Sequence, residues 1–211
     1  MNVDFSSRPH EHHVILEYVK TSTNFGYSVF LQCFYDVCMK KMDARKYGQK
    51  QRSLISSLER KQRSHALFLK LIPYMEKASV IGCYVSMKDE VDTFEILAWC
   101  FENHKHVCVP KVTGNTLVFY YISSFSELQE GAFHVLEPVS QNMADLEDID
   151  FMIVPLSSYD SSFHRCGYGR GYYDSILREC RYKVGIAFHE QYVDGIEVEP
   201  FDVSLDYVIS C

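Results

Sequence analysis

The sequence predicts an α/β fold with a largely parallel sheet flanked by helices. Three observations carry that reading. Strand-like apolar runs alternate along the chain with segments of helical period. Two of the runs, "SVIGCYVS" (79–86) and "DFMIVPL" (150–156), are apolar enough to be buried strands. One unit reads as strand, glycine-rich loop and helix, an arrangement at home in open α/β sheets.

The elements follow in order. Residues 41–54 read as a basic helix. The stretch "SSLERKQRSHALFLKLI" (56–72) opens with a capping box, Ser56 and Glu59, and carries an apolar face at Ala66, Leu67 and Leu71. Pro73 is expected to end or kink that helix. Residues 79–86 form a strand. "DTFEILAWCFEN" (92–103) is a helix with Asp92 as its cap and Glu95 three residues on. "HVCVP" (106–110) is a short strand, and Gly114-Asn115 turn the chain into the alternating strand "TLVFYYI" (116–122). Residues 123–148 are acidic and irregular. The strand 150–156 leads to the glycine loop and a helix over 171–180. "KVGIAF" (183–188) and "LDYVI" (205–209) are further strands. Together they make a three-layer, Rossmann-like arrangement. Trp99, Cys100 and Cys108 are expected in its core.

Residues 1–38 differ in texture from the rest. They are aromatic and apolar without useful periodicity, and are read as an N-terminal extension that packs as a satellite or lies disordered. The "HEHH" run at 10–13 has no carboxylate or cysteine at ligand spacing and is not read as a metal site. Met39 offers a second natural start, and the main domain is placed at 39–211.

The 211 residues are 47% hydrophobic and 23% charged, enough for a sizeable core. A net charge of −7 argues against general nucleic-acid binding. The charge is uneven: residues 40–63 hold nine Lys and Arg against two acids. That reads either as a solvated helix face or as a site for a polyanion. Eight cysteines show no CxxC pair and no zinc spacing, no secretory leader opens the chain, and no apolar run is long enough to span a bilayer. Free thiols and a cytoplasmic location are expected.

The chemistry concentrates in "RCGYGRGYYDSIL" (165–177). Gly167, Gly169 and Gly171 let backbone approach an anion, and a helix N-terminus follows. Arg165 and Arg170 add donors suited to phosphate oxygens. The dinucleotide fingerprint GxGxxG fails, because Tyr172 stands where its third glycine would be; GxxxxGK[ST] is absent. Asp174 is the misfit. It suits a helix N-terminus as a first-turn acid. Beside phosphate it also suits magnesium, which takes one or two carboxylates plus phosphate oxygens, and Asp202 could share the ion. The residues alone leave both readings open.

"RCGYGRGYYD" (165–174), "YVSMKDEVDT" (84–93), "VPKV" (109–112), "FDVSLD" (201–206) and "KMDAR" (41–45) occur in the order and at about the spacing seen in 5-formyltetrahydrofolate cyclo-ligases. The chain resembles that family over 39–210, and the glycine-loop motif is the most specific part. The resemblance implies ATP-dependent closure of 5-formyltetrahydrofolate, with or without a polyglutamate tail, to 5,10-methenyltetrahydrofolate through a phosphorylated formyl group. It implies no nucleic-acid or membrane partner, and a monomer is expected. Lys41 and Arg45 match cations that hold ATP phosphates; Arg52 falls on the same helix face. The run Arg165, Cys166, Gly167, Tyr168, Gly169, Arg170, Gly171, Tyr172 and Tyr173 matches the ATP loop, with Arg165, Arg170 and Tyr172 placed nearest the chemistry. Val85, Glu90 and Tyr168 to Tyr172 match folate contacts. Asp174 and Asp202 match magnesium ligands. Cys166 stands where leucine is usual, Arg170 where lysine is common, and Val85 where a bulkier residue is commoner. Two other readings are an α/β sugar-phosphate or CoA-type enzyme, and a non-catalytic folate-binding paralogue; the latter would have lost Lys41, Arg165 or Asp174.

Overall fold

Apolar runs that alternate between two faces bring most of the chain to one sheet. The computed structural model describes residues 38–131 and 135–211, which belong to one compact unit. The leader up to residue 37, with its histidine run, lies outside the described residues. The elements are α1 (Lys41–Ser53), α2 (Ser57–Met75), β1 (Val80–Cys83), α3 (Phe94–Glu102), β2 (His106–Thr113), β3 (Thr116–Ile122), β4 (Leu128–Glu130), β5 (Leu136–Pro138), β6 (Phe151–Val154), β7 (Ser158–Tyr159), β8 (Arg165–Cys166), α4 (Tyr172–Ile176), β9 (Tyr182–Ala187) and β10 (Tyr207–Ser210).

Six strands form the central sheet in the order β10-β9-β6-β1-β2-β3. All neighbours are parallel except the β2–β3 hairpin at one edge. Two small antiparallel pairs, β4–β5 and β7–β8, lie outside it. Side-chain alternation divides the core. Ile81, Val107, Val109, Phe151 and Ile153 point to one face, covered by α2 and α3; Cys108, Phe119, Met152 and Val154 point to the other, beside Ile176, Leu177 and Cys180. Both faces are therefore buried, as expected for a parallel sheet. Cys100 and Cys108 are fully buried, Trp99 packs against the first cluster, and the described cysteines are all free thiols. Among the described residues no helix is long and apolar enough to cross a membrane.

Several expected elements change: the strand at 79–86 is Val80–Cys83, the strand at 106–110 runs on to Thr113, and the stretch expected to be irregular at 123–148 carries β4 and β5. The second helix runs through Pro73 to Met75. Only the bond to the Leu69 carbonyl is lost there, one turn from the helix end and on an exposed face. The strand after residue 150 is Phe151–Val154, and a tight hairpin, β7–β8, separates it from the glycine loop. The helix after the loop ends at Ile176 rather than 180. The Ile176 carbonyl takes the Glu179 N–H and the Cys180 thiol, so the ladder tightens and stops.

Candidate active site

Strand order reverses between β1 and β6, because the chain lays β2 and β3 on one side of β1 and then returns to its other side. Chains leaving the carboxyl ends of such neighbours diverge and leave a crevice. The segment after β1 carries Glu90. The segment after β6 carries the hairpin and the glycine loop.

Helix α1 forms the third wall. Ala44, Gly48 and Arg52, four residues apart, are its buried face. Gly48 is there because nothing larger fits: a Cβ would lie 1.9 Å from the Ser157 carbonyl oxygen. That close approach sets Arg45 and Arg52 against the loop and Lys41 against the segment that carries Asp202. Arg45 donates from Nε to the Gly167 carbonyl at 2.6 Å, and its guanidinium lies against Gly169. Gly169 and Gly171 have φ of 92° and 72°, the left-handed region that favours glycine. Lys41 donates to Asp202 at 2.5 Å and Glu199 at 2.6 Å. Burial lowers its pKa, but hydrogen bonds to Asp202 and Glu199 outweigh this and leave it raised. Arg52 donates to the Tyr168 hydroxyl at 2.6 Å.

The hairpin is braced from beneath. Asp160, 3% exposed, accepts from the backbone N–H groups of Ser162, His164 and Ile196 and pairs with the His164 ring. Gln191, also buried, donates to the carbonyls of Leu156 and Ser157. Cys166 is 2% exposed among Ala44, Val193 and Ile196, with its thiol on the Lys41 carbonyl, so its place is packing between helix and hairpin.

The expected site residues gather in this crevice with different postures. Arg165 is buried and donates to Asp174 at 2.9 Å; burial pulls its pKa down and Asp174 opposes that. Asp174 also accepts from the Val203 N–H at 3.4 Å, which draws it to the segment carrying Asp202. Arg170 is exposed and makes no hydrogen bond or ion pair among the described residues. Tyr172 is half-buried against the second core cluster. Tyr173 lies under the Arg165 guanidinium, 6.0 Å from ring centroid, and its buried hydroxyl has no partner among the described residues. Tyr168 spans the crevice: its hydroxyl donates to Glu90 Oε1 at 2.6 Å. Glu90, 5% exposed, also accepts from the Met87 N–H. Burial raises its pKa against those donors and Arg52. Val85 is 5% exposed and packs in the core; the adjacent cleft of about 270 Å³ is lined instead by Ser86, Met87 and Glu90, with Arg60, Lys61 and Phe94 opposite.

Two expectations shift in consequence. With only five residues, α4 offers little dipole, so anion binding at the loop falls to guanidinium groups and bare backbone. The basic excess of residues 40–63 is largely turned inward: Lys41, Arg45, Arg52, Arg60 and Arg63 all bond to the rest of the chain. Arg52, Gly48 and Asp160 were not expected as site or support residues. A glycine inside a helical pattern was the available signal for Gly48.

Asp174 and Asp202 are hard oxygen donors joined through the 202–203 backbone, a set that suits magnesium when phosphate oxygens complete the shell. In the described residues each is held by a cation, Arg165 and Lys41 respectively.

The model of the 5-formyltetrahydrofolate cyclo-ligase family matches residues 37–211. A 5-formyltetrahydrofolate cyclo-ligase of Haemophilus influenzae is 26% identical, over 79% of this chain and 95% of that protein. One from Mus musculus is 27% identical, over 74% and 85%. The solution structure of Aquifex aeolicus 5,10-methenyltetrahydrofolate synthetase superposes with a TM-score of 0.73 at 31% identity, covering 81% of this chain and 89% of that one.

Proposed function

The chain belongs to the 5-formyltetrahydrofolate cyclo-ligase family and is an enzyme, a ligase; on that premise we propose that it couples ATP cleavage to closure of 5-formyltetrahydrofolate into 5,10-methenyltetrahydrofolate. A formyl oxygen is a poor leaving group, and phosphorylation makes it a good one. The formyl oxygen takes the γ-phosphoryl group and ADP departs. The p-aminobenzoate nitrogen then attacks the activated carbon, loses its proton as the ring closes, and phosphate leaves.

Such a reaction asks the protein for position and charge neutralisation, and no covalent nucleophile. Arg45, Lys41 and exposed Arg170 are the cations that meet the triphosphate over the backbone of Gly167, Gly169 and Gly171. Arg165 orients Asp174 and, through its ring contact, Tyr173. Glu90 accepts N–H groups of the pterin at the crevice's other wall, with Tyr168 and Tyr172 beside it. Asp174 and Asp202 would hold magnesium, which supplies charge neutralisation on the transferring phosphoryl group. Residues 39–211 are the catalytic unit.

The observation that supports this reading is the 2.6 Å bond between Tyr168 and Glu90, which joins the glycine loop to a buried carboxylate. The test is to mix protein, 5-formyltetrahydrofolate and MgATP and follow the methenyl chromophore and ADP together. Equal growth of both, absent without ATP, supports it; chromophore growth independent of ATP, or ADP without chromophore, refutes it.

A further inference from the structure

The guanidinium of Arg52 is an anomaly. It is 93% enclosed, with side-chain exposure of 7%, yet among the described residues its Nε, like those of Arg60 and Arg165, has no hydrogen-bond partner, and its bond to the Leu156 carbonyl is long at 3.5 Å. Buried charged donors are ordinarily satisfied. Its one short bond is to the Tyr168 hydroxyl, which in turn donates to Glu90, itself 4.0 Å from the guanidinium. The Tyr168 ring lies 5.5 Å from the same cation. Arg52 thus orders a chain of donors: it gives a hydrogen to the phenol oxygen, and so directs the phenol hydrogen at the carboxylate.

We propose that Arg52 is a positioning residue, which aligns the Glu90 carboxylate and the Tyr168 hydroxyl as one relay and so ties the folate wall of the crevice to the ATP loop. The inference rests on the folate reading of Glu90 given above. Tyr168 holds one Glu90 oxygen and the Met87 N–H the other, which fixes the carboxylate and leaves each oxygen a further lone pair for a pterin N–H. Folate would bind the carboxylate so held, with Tyr168, tethered to Arg52, keeping the loop beside it. Other groups facing Glu90 are Tyr84 and Asp89 on its own segment and Tyr173 from α4, with Arg60 and Lys88 lining the adjoining cleft. Among these Arg52 is the cation whose opposition to burial is felt directly at Glu90, holding it towards the ionised form.

The test compares Arg52→Gln and Arg52→Lys with the parent. For Arg52→Gln, KM for 5-formyltetrahydrofolate should rise by about 10-fold or more, with KM for ATP changed less than about 3-fold. The acid limb of kcat/KM for folate should move upward by about one pH unit, because Glu90 loses an ionising neighbour. Arg52→Lys should restore the pH limb and only part of the KM, since it keeps the charge and loses the fork. A cooperative melt shows that each variant folds. Equal losses for both substrates with an unmoved pH limb would mark Arg52 as merely structural and overturn the proposal. A second readout needs no turnover: carbon-13 NMR titration of the Glu90 carboxyl, assigned with Glu90→Gln. An unchanged Glu90 titration in Arg52→Gln overturns the proposal whatever the activity. A raised one supports it, and if the parent then fails to make methenyl product, the functional reading falls with the folate part of the inference, while the alignment of Glu90 and Tyr168 by Arg52 stands.

Discussion

Lys41, in the first turn of α1, is paired with Asp202, 161 residues later, its Nζ 2.5 Å from the carboxylate. One belongs to the proposed phosphate cations and the other to the proposed metal ligands. The two therefore neutralise each other, and the proposed MgATP site would re-partner both. Lys41→Ala is expected to raise KM for ATP by about 10-fold or more and leave KM for folate within about 2-fold. It should also raise the magnesium concentration at half-maximal rate, because Asp202 loses its orientation. A larger effect on folate than on ATP, in steady-state kinetics with each substrate varied, would place Lys41 elsewhere.

Asp174 accepts from the buried Arg165 guanidinium and is also the proposed ligand of a metal. Asp174→Asn keeps an acceptor for Arg165 and removes the charge. It should melt within a few degrees of the parent and lose about 100-fold or more in kcat. Asp174→Ala should lose similar activity and also about 1–3 kcal/mol of stability, because it strands a buried cation. Near-parental turnover of the asparagine variant at limiting magnesium would refute the metal role.

Gly48→Ala puts a methyl group 1.9 Å from the Ser157 carbonyl oxygen, inside any permitted contact. Alanine gains about 1 kcal/mol of helix propensity, yet displacing backbone against backbone costs about 1–3 kcal/mol. The clash should win. Denaturant unfolding should show a net loss of about 1–2 kcal/mol, and α1 should shift enough to raise KM for ATP. A more stable variant would show that α1 is not pressed against the hairpin.

Glu90 is a buried acid with its pKa raised from an ordinary 4.5. A folded-state pKa above the unfolded one gives stability that is full below the unfolded value and lost as pH rises through the folded value. Glu90→Gln removes that loss. The difference in melting temperature, variant minus parent, should therefore move in the variant's favour between about pH 4 and pH 7. Folate affinity should fall in the same variant. A difference that moves the other way would mean that Arg52 and Tyr168 outweigh burial.

A chain beginning at Met39 should turn over within about 3-fold of the full sequence and melt cooperatively. Met39 is itself anchored, its N–H on the Gly195 carbonyl and its own carbonyl on the Glu197 N–H. If the leader instead closes over the crevice, truncation will cut kcat and raise KM together.

The sheet was legible because its strands carry their own signals: Phe151, Met152, Ile153 and Val154 are apolar on both faces, and only a two-sided core demands that. The glycine loop was legible because three glycines in five residues are needless for packing. Pro73 misled, since its effect depends on how near the helix end lies, which is decided by where Met75 docks. The five-residue length of α4 was hidden because its end depends on which donor reaches the Ile176 carbonyl. Arg52 was recognisable only as a member of a helix face. Its partner Tyr168 lies 116 residues away, and its proximity to Glu90 depends on β6 lying beside β1. Asp160 reads in sequence as an ordinary turn acid; the donors that bury it come from both the turn and Ile196.

The strand order has a kinetic consequence. Apart from the β2–β3 hairpin, each neighbour in the central sheet is joined across a crossover, and Ile81 must find Phe151 before the sheet has a centre. Such distant pairings are slow, because loop-closure entropy is spent before contacts return it. During synthesis Glu90 precedes Arg165 by 75 residues, and Asp202 follows Asp174 by a further 28. A nascent chain stopped before β9 can hold neither half of the crevice in register. A chain arrested before β9 emerges should therefore be a folding intermediate with an open β6 edge, exposed to wrong pairing until β9 covers it.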